Sequence, residues 1–90
     1  MKPLVVTTAR GVFFGYGTPS DAPTIRIERC RMVVSWSADV RSVVGLAANG
    51  PTAGCRIGPQ APAIIIRDVT AVIECSEVAA TAFELGKWSG

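Results

Sequence analysis

The residues with most chemical potential lie between Trp36 and Gly58. Gly50, Gly54 and Gly58 punctuate one stretch, Asn49-Gly50-Pro51 makes a turn within it, and Arg41 and Arg56 lie in or just before it. Successive backbone amides in such a loop can cradle an anion, and a guanidinium supplies the planar fork that grips phosphate or carboxylate at two points. Trp36, set between Ser35 and Ser37, offers a ring face on which a nucleobase can stack. Trp36, Arg41, Asn49, Gly50, Gly54, Arg56 and Gly58 therefore form a candidate site for a small, nucleotide-like anion. Plainer uses stand beside this one. The loop also suits a turn-rich connection or a subunit contact, and Trp36 shares its parity with Met32 and Val34, as a core anchor would. Both standard nucleotide fingerprints are absent: no Gly-Lys-Ser or Gly-Lys-Thr ends the loop, and Gly15-Tyr16-Gly17 does not continue to a third spaced glycine.

Other chemistry is excluded by what the chain lacks. It has no histidine, so it lacks the usual general base near neutral pH and the commonest ligand of catalytic zinc. Cys30, Cys55 and Cys75 are too widely spaced for a metal knuckle and too few for a disulfide framework, and without an imidazole they read as small buried hydrophobes. The acids show no spacing that demands a catalytic pair. The expectation is a protein that is not an enzyme, with no catalytic residue, no cofactor and no metal. Arg26, Arg29 and Arg31 cluster around Glu28, a pattern that suits ion pairing or a solvated face as well as phosphate.

The elements that must position these residues are mostly strands. In 90 residues there are 11 Val and 7 Ile against 3 Leu, and stiff branched side chains fit a pleated sheet better than a helix. The predicted fold is a small bent-strand β-barrel or compact antiparallel sheet of five or six strands with one short C-terminal helix, a single β domain over residues 1–86 and a tail over 87–90. Leu4 to Thr8 and Gly11 to Tyr16 read as a hairpin, and the adjacent Phe13 and Phe14 point to a strand covered on both faces. From Thr24 to Ser37 the apolar parity switches, from Ile25 and Ile27 to Cys30, Met32, Val34 and Trp36. A period-two strand does that only across a break, so a bulge is expected at Glu28-Arg29, with Met32, Val34 and Trp36 in the core and Arg29, Arg31, Ser35 and Ser37 outside. Short strands are expected at Ser42 to Ala47 and Cys55 to Ile57, and a further bend at Arg67-Asp68. Ser76 caps a helix over Glu77 to Leu85, with Val78, Ala82 and Leu85 as its buried stripe, flanked by Ala79 and Phe83.

Two resemblances emerge from particular stretches. Val-Thr-Thr-Ala-Arg-Gly-Val-Phe-Phe-Gly (6–15), Val-Ser-Trp-Ser (34–37), Gly-Leu-Ala-Ala-Asn-Gly-Pro (45–51) and Arg-Ile-Gly-Pro (56–59) together resemble an uncharacterised family of small tailed-bacteriophage proteins. That likeness implies a phage accessory protein acting in the host cytoplasm, with no established activity. Ile66-Arg67-Asp68-Val69-Thr70-Ala71-Val72 is similar to the last motif of Sm-like barrels, and Arg10-Gly11-Val12 can stand in that family's second strand. The Asp-x-x-x-Asn ligand pattern of that family is missing here.

Charge and apolar content set the expected partners. Hydrophobic residues make up 49% and charged residues 18%, more apolar surface than so small a monomer hides, so a homo-oligomer is expected. A net charge of +2 counts against nucleic acid, and no apolar run approaches a membrane span. The functional expectation is a non-catalytic homo-oligomer that binds a small anionic ligand or a host factor in counter-defence. A virion structural or decoration protein and an Sm-like RNA binder are the alternatives.

Overall fold

Six strands and two helices follow one another as β1 (Lys2–Thr8), β2 (Gly11–Gly17), β3 (Ile25–Ser35), α1 (Val43–Asn49), β4 (Arg56–Ile57), β5 (Ala61–Ile66), β6 (Val69–Glu74) and α2 (Glu77–Leu85), in a computed structural model that describes residues 1–36, 42–52 and 54–85. Every pairing is antiparallel. The strand order is β4-β3-β2-β1-β6, with β5 pairing the first half of β3 while β4 pairs its last residues. β5 and β6 are consecutive in sequence yet sit at opposite ends of this order. The sheet must therefore curl until its ends approach at the Arg67-Asp68 corner, without closing.

Among the described residues two non-glycine positions have left-handed backbone, Arg29 at φ 48 and Asp68 at φ 58, and both lie at the steps where the sequence predicts a bend. At the first, the β2–β3 register shifts between Phe14↔Arg31 and Tyr16↔Glu28, so β3 carries one extra residue, a bulge. On its other edge β3 pairs regularly with β5, where Glu28↔Ala63 and Cys30↔Ala61 bracket Pro62, which has no N–H to offer. A similar shift between Thr7 and Thr8 leaves Thr70 as the extra residue of β6, its hydroxyl 2.7 Å from that of Thr7.

The sheet carries a core on each face. On the inner, curled face Leu4, Val6, Ile25, Ile27, Cys30 and Ile66 form one core; on the other Val5, Val12, Phe14, Val33 and Ile57 pack against Leu46 and Ala47 of α1 and Ala80 and Phe83 of α2. Phe13 joins the inner core and Phe14 the outer, as adjacent aromatics on a doubly covered strand must.

Three expectations are corrected. Ser42 to Ala47 is not a strand: Ser42 accepts the Gly45 amide at 3.4 Å and opens α1, and the Gly50 amide donates to Leu46 O at 2.8 Å to close it. Beyond the bulge, Met32, Val34 and Trp36 are 43%, 49% and 39% exposed while Val33 and Arg31 are buried. They share the inner face with Cys30, but β5 ends its pairing at Cys30 and the two-residue β4 leaves that half of the face uncovered. In α2, which spans the expected residues with Ser76 Oγ accepting the Ala79 amide at 3.1 Å, Val78 and Leu85 are exposed and Ala79, Ala80 and Phe83 are buried. The small residues turn toward α1, where the backbone of Gly50 approaches closely.

That approach gives a test. Gly50 has φ 83 with extended ψ, a region essentially reserved for glycine, and a Cβ there would lie 2.7 Å from Ala82 Cβ and 3.1 Å from Ala79 Cα. Strain and overcrowding of helix against helix should make Gly50→Ala cost about 2–3 kcal/mol, read as a lower urea midpoint. An unchanged midpoint would contradict the close packing.

Candidate functional site

The predicted loop folds into structure and divides the candidate residues. Gly50 is buried between α1 and α2 with its amide spent on Leu46 O; Gly58 is buried with its amide donating to Met32 O at 2.8 Å and its carbonyl accepting from Arg31 Nε at 2.7 Å. The Cys55 amide donates to Thr52 O at 3.0 Å, and the Thr52 amide to Cys55 Sγ at 3.4 Å. An anion cradle of free amides is thus largely closed by internal bonds. Asn49 and Gly54 are exposed, on α1 and in the following turn. Arg41 and Ser37 lie outside the described residues, as does the expected tail over 87–90.

Trp36 and Arg56 remain together. Arg56 is the register partner of Ser35, the last residue of β3, so Trp36 and Arg56 share one end of the sheet. Val12↔Val33 pairing places Arg10, just before β2, beyond that same end of the β2–β3 ladder. Across β1, Thr8↔Val69 brings the Arg67-Asp68 corner to the β1–β2 turn. There a cavity of about 330 Å³ is lined by Thr8, Ala9, Arg10, Arg67 and Asp68. The turn is fastened by Thr8, whose Oγ1 accepts the Arg10 and Gly11 amides at 3.1 Å and donates to Gly11 O at 3.3 Å. A second cavity of about 320 Å³ lies between Ser20-Asp21-Ala22 and Val69 to Val72, at the free edge of β6.

Several other charges are committed to the fold. Arg31, expected outside, is buried and donates from Nη1 to Phe83 O at 2.8 Å as well as to Gly58 O, so one guanidinium neutralises the carbonyl end of α2 and ties it to the chain after β4. Arg29 stacks 4.1 Å from the Tyr16 ring centre and lies 3.6 Å from Glu84, which accepts the Tyr16 hydroxyl. Burial, then the Glu84 hydrogen bond, pushes the Tyr16 phenol up to about 12. Lys2 pairs with Glu74 at 3.1 Å and Arg26 with Glu28 at 2.6 Å. Burial pushes the Cys75 thiol up to about 12 and raises Cys30, so little thiolate exists at neutral pH. Among the described residues, no group of three or more Cys, Asp or Glu is placed to hold a metal ion, and no helix is long and apolar enough to cross a membrane.

A family model matches residues 1–83, from the first strand to the aromatic that seals α2 on the sheet. The chain belongs to DUF6948, a domain of unknown function. No curated protein matches it, and no solved structure does. In this DUF6948 domain, sequence reasoning passes over Arg10 and Arg67 because they sit far apart in hairpin and corner positions where a base is ordinary. The antiparallel pairing of β1 with β6, with Thr8 opposite Val69, brings them together.

Proposed function

We propose that this DUF6948 chain works as a non-catalytic homo-oligomer that binds a small anionic, nucleotide-like ligand or a host factor. The resemblance to small tailed-bacteriophage proteins supports a role in the host cytoplasm, as counter-defence. The observation that carries the oligomer is the open sheet: β5 and β6 each end the strand pairing with an unshared edge. Unpaired edges are templates for another strand unless blocked, and two different edges on one chain suit head-to-tail pairing that closes into a ring. Pro62 and the Val69 amide bond to Pro23 O block part of them, whereas Ile65, 62% exposed on β5, is left as an apolar contact. The uncovered Met32, Val34 and Trp36 add apolar surface at the open mouth. The absence of histidine and the raised Cys30 and Cys75 thiols support a non-catalytic role, because neither of these thiols is activated by a base among the described residues.

Sedimentation velocity at micromolar concentration checks this directly. The expected result is a species several times 9.4 kDa that shifts toward the single chain in Ile65→Lys, a substitution at an exposed position outside both cores. A wild-type protein that sediments only at 9.4 kDa would refute the oligomer. Stable co-purification with virus particles would instead favour the virion role.

A further inference from the structure

We infer that the cavity between the β1–β2 turn and the β5–β6 corner is a site for a phosphate-class oxyanion, gripped by Arg10 and Arg67 and weakened by Asp68. This deepens the ligand-binding half of the proposed function and rests on that half, not on the oligomeric state. Arg10 and Arg67 come from distant parts of the chain, yet both line one cavity of about 330 Å³. That volume is at the small end of ligand pockets, which run about 300–1,000 Å³. Lys2, Arg26 and Arg29 each pair with a carboxylate, and Arg31 is spent on main-chain carbonyls. Arg10 and Arg67 have no ion pair among the described residues, even though Asp68 shares their cavity.

Two guanidinia against one carboxylate leave the cavity with a net positive charge. Two guanidinia carried on separate turns suit an anion that offers oxygens in more than one plane, as a tetrahedral oxyanion does. Pre-organisation favours capture: the Thr8 hydroxyl fixes the turn that carries Arg10, and the left-handed residue at 68 fixes the corner beside Arg67. Asp68 acts as an electrostatic brake, since its carboxylate opposes any anion in the cavity.

The test is titration of the isotope-labelled protein with sodium phosphate at constant ionic strength, followed by amide NMR, with adenosine 5′-monophosphate and adenosine as further probes. Saturable shifts are expected at Ala9, Arg10, Gly11, Arg67 and Asp68 with phosphate and with the monophosphate, and none with adenosine; tighter binding of the monophosphate would identify the phosphate as one end of a larger ligand. Arg10→Ala and Arg67→Ala should each weaken binding roughly tenfold, the loss of one charge-assisted contact, while Arg26→Ala leaves it unchanged. Asp68→Asn should tighten binding severalfold, because asparagine keeps the left-handed backbone and removes only the charge. The site is wrong if phosphate gives no saturable shift, if adenosine binds as well as its monophosphate, or if Asp68→Asn weakens binding. Sedimentation of the same samples reads the oligomer separately, so a monomer that binds phosphate would sink the assembly and leave the site standing.

Discussion

Replacing Phe83 by alanine should lower stability by about 3–5 kcal/mol, the range for deleting a buried aromatic that leaves a cavity. Phe83 is fully buried, and its ring stacks on Phe14 at 4.2 Å between centres with 10° between planes. It is the one large side chain by which α2 holds the sheet, since the other buried residues of that helix are Ala79 and Ala80. A domain of this size has roughly 5–15 kcal/mol in total, so the variant should sit near the edge of folding at 37 °C. Urea unfolding measures the effect. Phe14→Ala should cost a similar amount, and the double variant should cost less than the sum by about 0.5–1.5 kcal/mol, the ring–ring coupling. Full additivity would mean that the stacking contributes nothing beyond burial.

Arg31→Met should cost about 3–5 kcal/mol, from two carbonyls that each lose a charged donor at about 1–3 kcal/mol and from the rest of the network they belong to. The methionine keeps the apolar stem and removes the fork, so the loss includes the hydrogen bonds to Gly58 O and Phe83 O. Arg31→Lys should recover part of the loss, because an ammonium on a shorter stem cannot span two carbonyls as a planar fork does. Equal loss in both variants would show that only the bidentate geometry matters; no loss in either would contradict the part given to Arg31.

Arg31 also shows where the sequence is legible and where it stops being so. The parity switch at Glu28-Arg29 predicts the bulge because a one-residue slip must exchange faces, and the register shift opposite Tyr16 is that slip. Parity also puts Met32, Val34 and Trp36 on the face of Cys30. What parity cannot give is how far a cover extends, and here β5 stops pairing where those residues begin. Nor does it show that the chain sends an arginine into the core of the other face, where Phe83 O at the end of α2 and Gly58 O after β4 accept from it. Ser76 and the acidic Glu77 mark α2 locally, whereas α1 contains Val43 and Val44, poor helix formers, and depends on Ser42, on Gly50 and on packing against α2. Tertiary contact overrode propensity there.

The residues of the predicted loop site are brought together only in part. Glycines and arginines in a loop suggest an anion, but Gly50 is used for close packing of helices and Gly58 for pairing with Met32. Of the predicted set, Trp36 and Arg56 stay exposed at one end of the sheet, beside a pair of arginines that the spacing along the chain does not connect.

The most direct test of the central claim, a homo-oligomer that carries a small anionic ligand, is native mass spectrometry of the full chain from the cells in which it acts. The predicted spectrum shows a closed oligomer of the 9.4 kDa chain with an added mass, lost when Arg10 and Arg67 are both replaced by alanine. A spectrum of bare 9.4 kDa chains, with neither partner copies nor added mass, would contradict it.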